Sequence, residues 1–132
     1  MTGFAGETDE EFERSLSFAE KTGFSRIHVF TYSVREGTAA ARRNDHISEN
    51  VKAQRYARMS ALASRLYSDH LKSRIGSCDT VLIQKRTSPE FAAGLTPDYT
   101  PVRIYGSRAE RHDIIKIRIV GAGEGFCVGE EE

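Results

Sequence analysis

A polar loop near residue 35 carries side chains that could bind a charged ligand. Ser33 and Arg35 directly follow residues 27–32, whose β-branched and aromatic side chains are typical of a strand. A rigid strand can hold polar groups at its carboxyl end, so this order is typical of a binding loop. The planar guanidinium of Arg35 could pair with a carboxylate or a phosphate. Alternatively, Arg35 pairs with Glu36 or with water, and the loop is a plain connection.

A second loop, at the start of the sequence, has the spacing of a tight turn before a helix. Gly3 and Gly6 flank the turn and Glu7 follows it. Glycine is common in such turns for backbone reasons alone. Thr8 and Glu11 then have the spacing of a capping box, which predicts a helix over residues 8–21.

The cysteines and histidines do not predict a metal or catalytic centre. Cys78 and Cys127 are far apart in the sequence, whereas an iron–sulfur cluster needs several closely spaced thiolates. Two such cysteines fit a reduced, cytoplasmic protein better than a disulfide scaffold. His28 has no partner residue nearby in sequence, which favours a structural role. No catalytic residue and no metal ligand is therefore predicted in this chain.

Two helices and a strand-rich segment must position these loops. The first helix has an apolar face at Phe12, Leu16 and Ala19, with Phe18 beside it, and we expect it to pack on the strand at residues 25–32. The second helix is predicted from Ser48 to about residue 74. Its apolar stripe comprises Val51, Arg55, Met59, Leu62 and Leu66.

Charge is unevenly distributed, although the formal net charge is +0. Acidic residues predominate in residues 1–24 and basic residues in residues 42–86. On the second helix, Arg58, Arg65 and Lys72 recur every seven residues. This basic edge is either a solvated helix face or a surface that follows an RNA backbone. No apolar run approaches the ~20 residues that cross a membrane.

After Ser77 the apolar period changes from that of a helix to that of strands. Alternating runs at residues 81–84, 102–105 and 115–120, with a last short strand at 126–128, predict a small β domain. We expect a closed barrel, since closure removes free strand edges. The outward positions carry basic residues that could bind phosphates and a tyrosine that could stack on a base, unless they form an ordinary polar surface. These residues are Arg103, Tyr105, Lys116 and Arg118.

Three short motifs, in this order, resemble the end of the radical-SAM methylthiotransferases. Residues 3–8 resemble that family's glycine-phenylalanine-proline-glycine-glutamate-threonine turn, with Ala5 in place of proline. Residues 32–38 resemble its tyrosine-serine-x-arginine-proline-glycine-threonine run, with Glu36 in place of proline. Residues 94–99 resemble the glycine-x-threonine-proline-asparagine-tyrosine loop of its RNA-binding TRAM domain.

The resemblance implies an α+β fold in three parts. Residues 1–43 would be the end of a radical-SAM barrel, made of its terminal β/α elements. Residues 44–76 would be a long linking helix, and residues 77–129 a small C-terminal antiparallel β barrel of the TRAM/OB-like kind. Residues 130–132 are predicted to be a disordered tail.

The resemblance also implies a function. In that family, S-adenosylmethionine is cleaved at a 4Fe-4S cluster and a methylthio group is placed on a modified adenosine next to the tRNA anticodon, or on a ribosomal protein. This chain lacks the three-cysteine motif, so we expect no cluster in it and no activity from it alone. The expected partner is tRNA, with no membrane, and an exposed barrel edge would offer a surface for a homodimer. A stand-alone RNA-binding module and a protein-interaction domain remain open alternatives.

Particular residues take roles by the same resemblance. Those expected at one edge of the S-adenosylmethionine pocket are Gly3, Gly6, Glu7, Ser33 and Arg35. Those expected to bind RNA are Tyr99, Arg103, Tyr105, Lys116 and Arg118.

Overall fold

The computed structural model describes residues 1–87 and 90–132, which form two compact units, Met1–Tyr67 and Ser68–Glu132. The boundary lies inside the long helix α2 (Glu49–Ser73), whereas the sequence predicts boundaries at residues 43 and 76. The first part of α2 packs within the first unit and its last turns belong to the second. No helix in the described parts of the chain combines the length and hydropathy of a membrane span.

Helix α1 (Asp9–Thr22) opens the first unit and is capped as the sequence predicts. The Thr8 hydroxyl accepts a hydrogen bond from the Glu11 N–H, and the Glu11 carboxylate accepts one from the Thr8 N–H at 2.9 Å. Gly23 ends the helix in the left-handed conformation, with φ 65°. Phe18, which the sequence places beside the apolar face, is 65% exposed. The core of this unit comprises Phe12, Ala19, Met59 and Leu62, with Leu16, Ile27, Val29 and Leu66 packed against it.

The segment at residues 25–32 is not a strand, and that prediction is wrong. One parallel bridge joins Thr2 to Thr31. In it, the Thr2 N–H donates to the Phe30 carbonyl at 2.8 Å and the Tyr32 N–H donates to the Thr2 carbonyl at 2.9 Å. A ladder needs a partner at every second residue, and the described residues supply one at a single position. The side chains of this segment nevertheless alternate between inward and outward positions as predicted, since His28 faces solvent.

The second unit is a closed five-stranded barrel with the strand order β1-β2-β3-β5-β4. Its strands are β1 (Cys78–Thr87), β2 (Phe91–Leu95), β3 (Pro101–Tyr105), β4 (Ile114–Ala122) and β5 (Cys127–Glu131). The closed barrel confirms the sequence prediction, but its pairing is mixed rather than antiparallel, because β3 and β5 run parallel. Five is an odd number, so strand directions cannot alternate all the way round a closed ring.

The interior of the barrel follows the predicted alternation of apolar residues. Strand β2 was not predicted, because its sequence of alanines and glycine has no strong apolar alternation. Gly94 is needed there: a Cβ at this position would lie 2.2 Å from the Leu82 carbonyl oxygen. The predicted disordered tail also differs from the structure, since Glu130 and Glu131 pair with β4. The fully buried side chains include Val81, Ile83, Val102, Ile104, Ile117 and Ile119.

Candidate nucleic-acid interface

The residues expected to bind the cofactor lie in two loops of the first unit but do not line one cavity. Gly6 and Glu7 line one depression. Ser33 lines another, and Gly3 and Arg35 line neither of these two. Within this unit, Gly6 and Glu7 are therefore separated from Ser33 by lining different depressions. Their cofactor role stays a prediction.

Glu7 has a structural partner that was not predicted. Its carboxylate Oε2 lies 2.7 Å from Arg55 Nη1 and accepts a hydrogen bond from the Gly3 N–H, also at 2.7 Å. Arg55 also binds Asp9 at 2.7 Å, and its side chain is only 6% exposed. Burial alone would lower the pKa of Arg55, but the hydrogen bonds to Asp9 and Glu7 raise it. The sequence signal for this ion pair is the arginine within the apolar stripe of α2, because a buried charge needs a partner.

The two glycines of the first turn are required by backbone and packing. Gly3 and Gly6 have φ of 73° and 78°, a region that favours glycine. A Cβ on Gly3 would lie 2.6 Å from Cγ of Lys52, and one on Gly6 would lie 2.5 Å from the Arg43 guanidinium. These contacts account for the two glycines, and a bound ligand is not needed to explain them.

The cysteines of the second unit have different surroundings. The Cys78 thiol donates to the Glu132 carboxylate at 2.9 Å, which raises its pKa. Cys127 is buried, and burial raises the pKa of its thiol. Within residues 1–87 and 90–132, no group of three metal-ligating side chains is present. The described residues therefore do not fit a 4Fe-4S cluster, which needs several thiolates.

The outer face of the barrel holds a cation between two aromatic rings. The Arg103 guanidinium carbon lies 5.1 Å from the Phe91 ring centroid and 3.8 Å from that of Phe126. The Phe91 and Tyr105 rings are 5.6 Å apart. Arg103 is half-buried and, among the described residues, has no carboxylate within ion-pair distance. We call these four residues the Arg103 cluster.

Phe91 and Phe126 were not predicted to take part in the interface. Phe126 follows a glycine-rich loop, and a Cβ on Gly123 would lie 2.5 Å from its ring. A glycine that makes room for an aromatic ring was the available signal in the sequence. Phe91 begins strand β2, whose sequence has no strong apolar alternation.

The two predicted basic residues of β4 differ from each other. Lys116 is exposed and has no ion-pair partner in the part of the chain that the structure describes. Arg118 is bound to the Glu132 carboxylate at 3.0 Å and donates to the Gly76 carbonyl at 3.3 Å. Glu130 also lies opposite Arg118 in the β4–β5 pairing. Arg118 is therefore less available to a phosphate than Lys116.

Tyr99 lies in the turn between β2 and β3 and is 76% exposed. The neighbouring Asp98 accepts hydrogen bonds from the Thr96 hydroxyl and the Thr100 N–H, and pairs with Arg74. Burial alone would raise the pKa of Asp98, but these contacts lower it from 3.8 to about 2. A carboxylate thus replaces the asparagine of the family motif and ties the turn to the end of α2.

The basic edge of α2 is partly engaged in ion pairs and partly exposed to solvent. Arg58 binds Glu13 and Arg65 binds Glu20, so both arginines join α2 to α1. Lys72 is exposed. Within the first unit, these ion pairs therefore neutralise part of the acidic and basic charge that lies in separate segments of the sequence.

Comparison with known sequences identifies the class of protein to which this chain is related. Over nearly its whole length, the chain is a homologue of the C-terminal part of the radical-SAM methylthiotransferases, which confirms the resemblance. No protein-family profile matches the chain.

Three relatives illustrate the range of this class. The chain is 34% identical to a ribosomal protein uS12 methylthiotransferase of Geotalea uraniireducens and 33% identical to a tRNA-2-methylthio-N(6)-dimethylallyladenosine synthase of Geobacillus thermodenitrificans. It is 34% identical to a threonylcarbamoyladenosine tRNA methylthiotransferase of Bacillus subtilis. Each similarity covers 98% of this chain, which spans 31%, 25% and 30% of the respective relatives.

Proposed function

We propose that this chain is the RNA-binding C-terminal part of a radical-SAM methylthiotransferase that modifies an adenosine next to the tRNA anticodon. The supporting observation is the Arg103 cluster, in which an arginine that has no carboxylate partner among the described residues is held between two aromatic rings. A guanidinium oriented in this way can donate to a phosphate with little loss of side-chain entropy. Because tRNA is the proposed partner, we expect the protein in the cytoplasm.

The position of the cluster agrees with how small barrels bind nucleic acids. Five-stranded oligonucleotide-binding barrels use the face of strands 2 and 3 together with the loops between strands 1 and 2 and between strands 4 and 5. The Arg103 cluster comes from β2, β3 and the β4–β5 loop. This support is an analogy of fold, and the chemistry of the residues adds to it.

The residues of this chain would bind and orient the RNA. Arg103 and Lys116 would contact phosphates, and Tyr105, which is 55% exposed, would offer a ring for base stacking. S-adenosylmethionine and an iron–sulfur cluster, when bound in the full-length protein, supply the radical chemistry. Arg118 would contribute less, since Glu132 already neutralises it.

A titration of the chain into labelled tRNA tests the proposal. We expect micromolar or weaker affinity that falls as salt rises, because each phosphate contact releases counterions and adds about 0.7–0.9 to the slope of log K against log salt. Binding that is independent of salt, or no binding at low salt, would remove the RNA role. A stand-alone RNA-binding module would give the same result, whereas a protein-interaction domain would not bind tRNA.

A second candidate substrate is a ribosomal protein. It is favoured by the similarity to the uS12 methylthiotransferase, which is as high as the similarity to the tRNA enzymes. The two candidates separate in a competition experiment. Purified uS12 should displace labelled tRNA only if the barrel face binds the protein, and an excess of uS12 without effect would favour tRNA.

A further inference from the structure

The outer face of β1 carries an apolar row that the Arg103 cluster does not use. Leu95 of β2, Leu82 of β1 and Ile114 of β4 are cross-strand neighbours in register. Leu82 is 43% exposed and Ile114 is 71% exposed. Neighbours of this kind stand about 5 Å apart, so the three side chains form a continuous strip. With Pro97 and Tyr99 of the β2–β3 turn, the strip lines an open groove of about 280 Å³, which we call the Tyr99 groove.

Tyr99 is presented at this groove by a strained turn. Its φ is 63°, a conformation that bulky residues rarely adopt. The Tyr99 N–H donates to the Thr96 carbonyl at 2.9 Å, and the Thr96 N–H donates to the Thr100 carbonyl at 3.1 Å. The Thr100 N–H also donates to the Thr96 hydroxyl at 3.0 Å. Such over-determined strain concentrates at ligand sites, and here its effect is to hold an aromatic ring in solvent.

Polar groups and one cation flank the apolar row. Thr80 and Gln84 line the groove and add a hydroxyl and an amide. Lys116 lies directly opposite Thr80 in the β1–β4 pairing, and its ammonium has no ion-pair partner among the described residues. The acidic neighbour of Tyr99, Asp98, is already paired with Arg74. The groove therefore combines flat apolar surface, hydrogen-bonding groups and an available positive charge.

We propose that the Tyr99 groove binds the base of one unpaired nucleotide, stacked on Tyr99, with Lys116 bound to its phosphate. The proposal rests on the proposed RNA-binding function and specifies that the bound segment is single-stranded. A base has two flat faces that fit an aromatic ring and aliphatic side chains, and a polar edge that fits Gln84 and Thr80. In a duplex those faces are stacked and cannot enter. Lys116 lies beside the row and has no ion-pair partner within residues 1–87 and 90–132, which favours a nucleotide over an uncharged protein segment.

Methyl NMR of the whole chain tests the groove directly. Addition of millimolar AMP should shift the Leu82 and Ile114 methyl signals upfield, because a stacked base exerts a ring current on them. Inorganic phosphate at the same concentration should not. If AMP leaves both methyl groups unshifted, the groove does not bind a base. If the chain is a dimer that an Ile114→Lys variant dissociates, the groove is an interface between copies, and the proposal is wrong.

Two variants at Tyr99 add an affinity test with a single-stranded RNA hexamer. Glycine accepts a positive φ, so Tyr99→Gly should fold, while its affinity should fall about 5- to 150-fold through loss of stacking. Tyr99→Phe should retain wild-type affinity. Equal affinity of Tyr99→Gly and the wild type would overturn the groove proposal. If in that case salt-dependent tRNA binding persists, the proposed function stands, whereas a wild-type chain that binds no tRNA at low salt would end both proposals.

Discussion

Arg103 has two roles that can be separated by substitution: it packs between two rings, and it presents a charge to solvent. Arg103→Ala removes both. Each cation–π contact contributes about 0.5–2 kcal/mol, depending on its exposure, and Arg103 makes two, at 5.1 and 3.8 Å. We therefore expect a loss of about 1–4 kcal/mol in the stability of the barrel. In a domain of this size, 1 kcal/mol lowers Tm by about 4–8 °C, so Tm should fall by about 4–30 °C.

Two further substitutions divide these roles. Arg103→Met keeps a long apolar side chain but no charge, so the slope of log K for tRNA against log salt should fall by about 0.7–0.9, with a smaller loss of Tm. Arg103→Lys keeps the charge but lacks the planar group that stacks on the rings. It should retain the salt slope while lowering Tm.

Tm would be measured by calorimetry, and affinity by fluorescence anisotropy over a series of salt concentrations. Arg65→Met is the matched control, because Arg65 is paired with Glu20 in the first unit. Its salt slope should equal that of the wild type. A wild-type slope for Arg103→Met would show that the arginine does not contact phosphate. An unchanged Tm for Arg103→Ala would refute the packing argument.

Three other substitutions test the fold and its charges. Gly94→Ala places a Cβ 2.2 Å from a backbone carbonyl oxygen, so the free energy of unfolding of the barrel should fall by about 3 kcal/mol in denaturant titrations. Arg55→Met leaves the Glu7 carboxylate, which is 15% exposed, without its partner, and should cost the first unit about 3 kcal/mol. The low pKa of Asp98, about 2, contributes stability that is present above pH 3.8 and is lost as pH falls towards 2. Asp98→Asn should therefore weaken this acid dependence, by about 1 kcal/mol after allowance for a carboxyl that is 43% exposed.

Each of these substitutions has a control. Gly121→Ala should be tolerated, since its Cβ would lie at an ordinary contact distance of 3.7 Å from Val128; equal effects at the two glycines would contradict the close-approach argument. Glu7→Gln should recover part of the loss in Arg55→Met, and no recovery would mean that the cost is one of packing. Asp69→Asn, on the exposed surface of α2, should leave the acid unfolding curve unchanged, whereas a change as large as that for Asp98→Asn would indicate a general charge effect.

The helices and most barrel strands were predictable because their signals are local. The capping box of Thr8 and Glu11 and the period-two apolar runs depend on residues close in sequence. The predictions that failed concern residues whose partners are distant in sequence. Residues 27–32 have the composition of a strand but find one bridge, at Thr2. Strand β2 has weak intrinsic signals and forms because two neighbouring strands pair with it. The parallel β3–β5 pairing follows only from the closure of the ring.

The candidate interface was predicted in composition but not in arrangement. Alternation correctly put Arg103 and Tyr105 on the outer face, but it could not show that two phenylalanines would half-bury the arginine. It also could not show that Arg118 is paired with Glu132, 14 residues away. Side-chain contacts between neighbouring strands depend on barrel register, and register is set by the whole sheet.

The place of β5 in the ring has a consequence for biosynthesis. This strand is synthesised after the other four, yet it lies between β3 and β4 and is the partner of both. On the ribosome, β1 to β4 can therefore emerge and pair in part, but their seam stays open while residues 127–131 are still in the exit tunnel. During that interval β3 and β4 expose unsatisfied backbone groups, and a chaperone or a neighbouring nascent chain could occupy the gap before the native strand arrives.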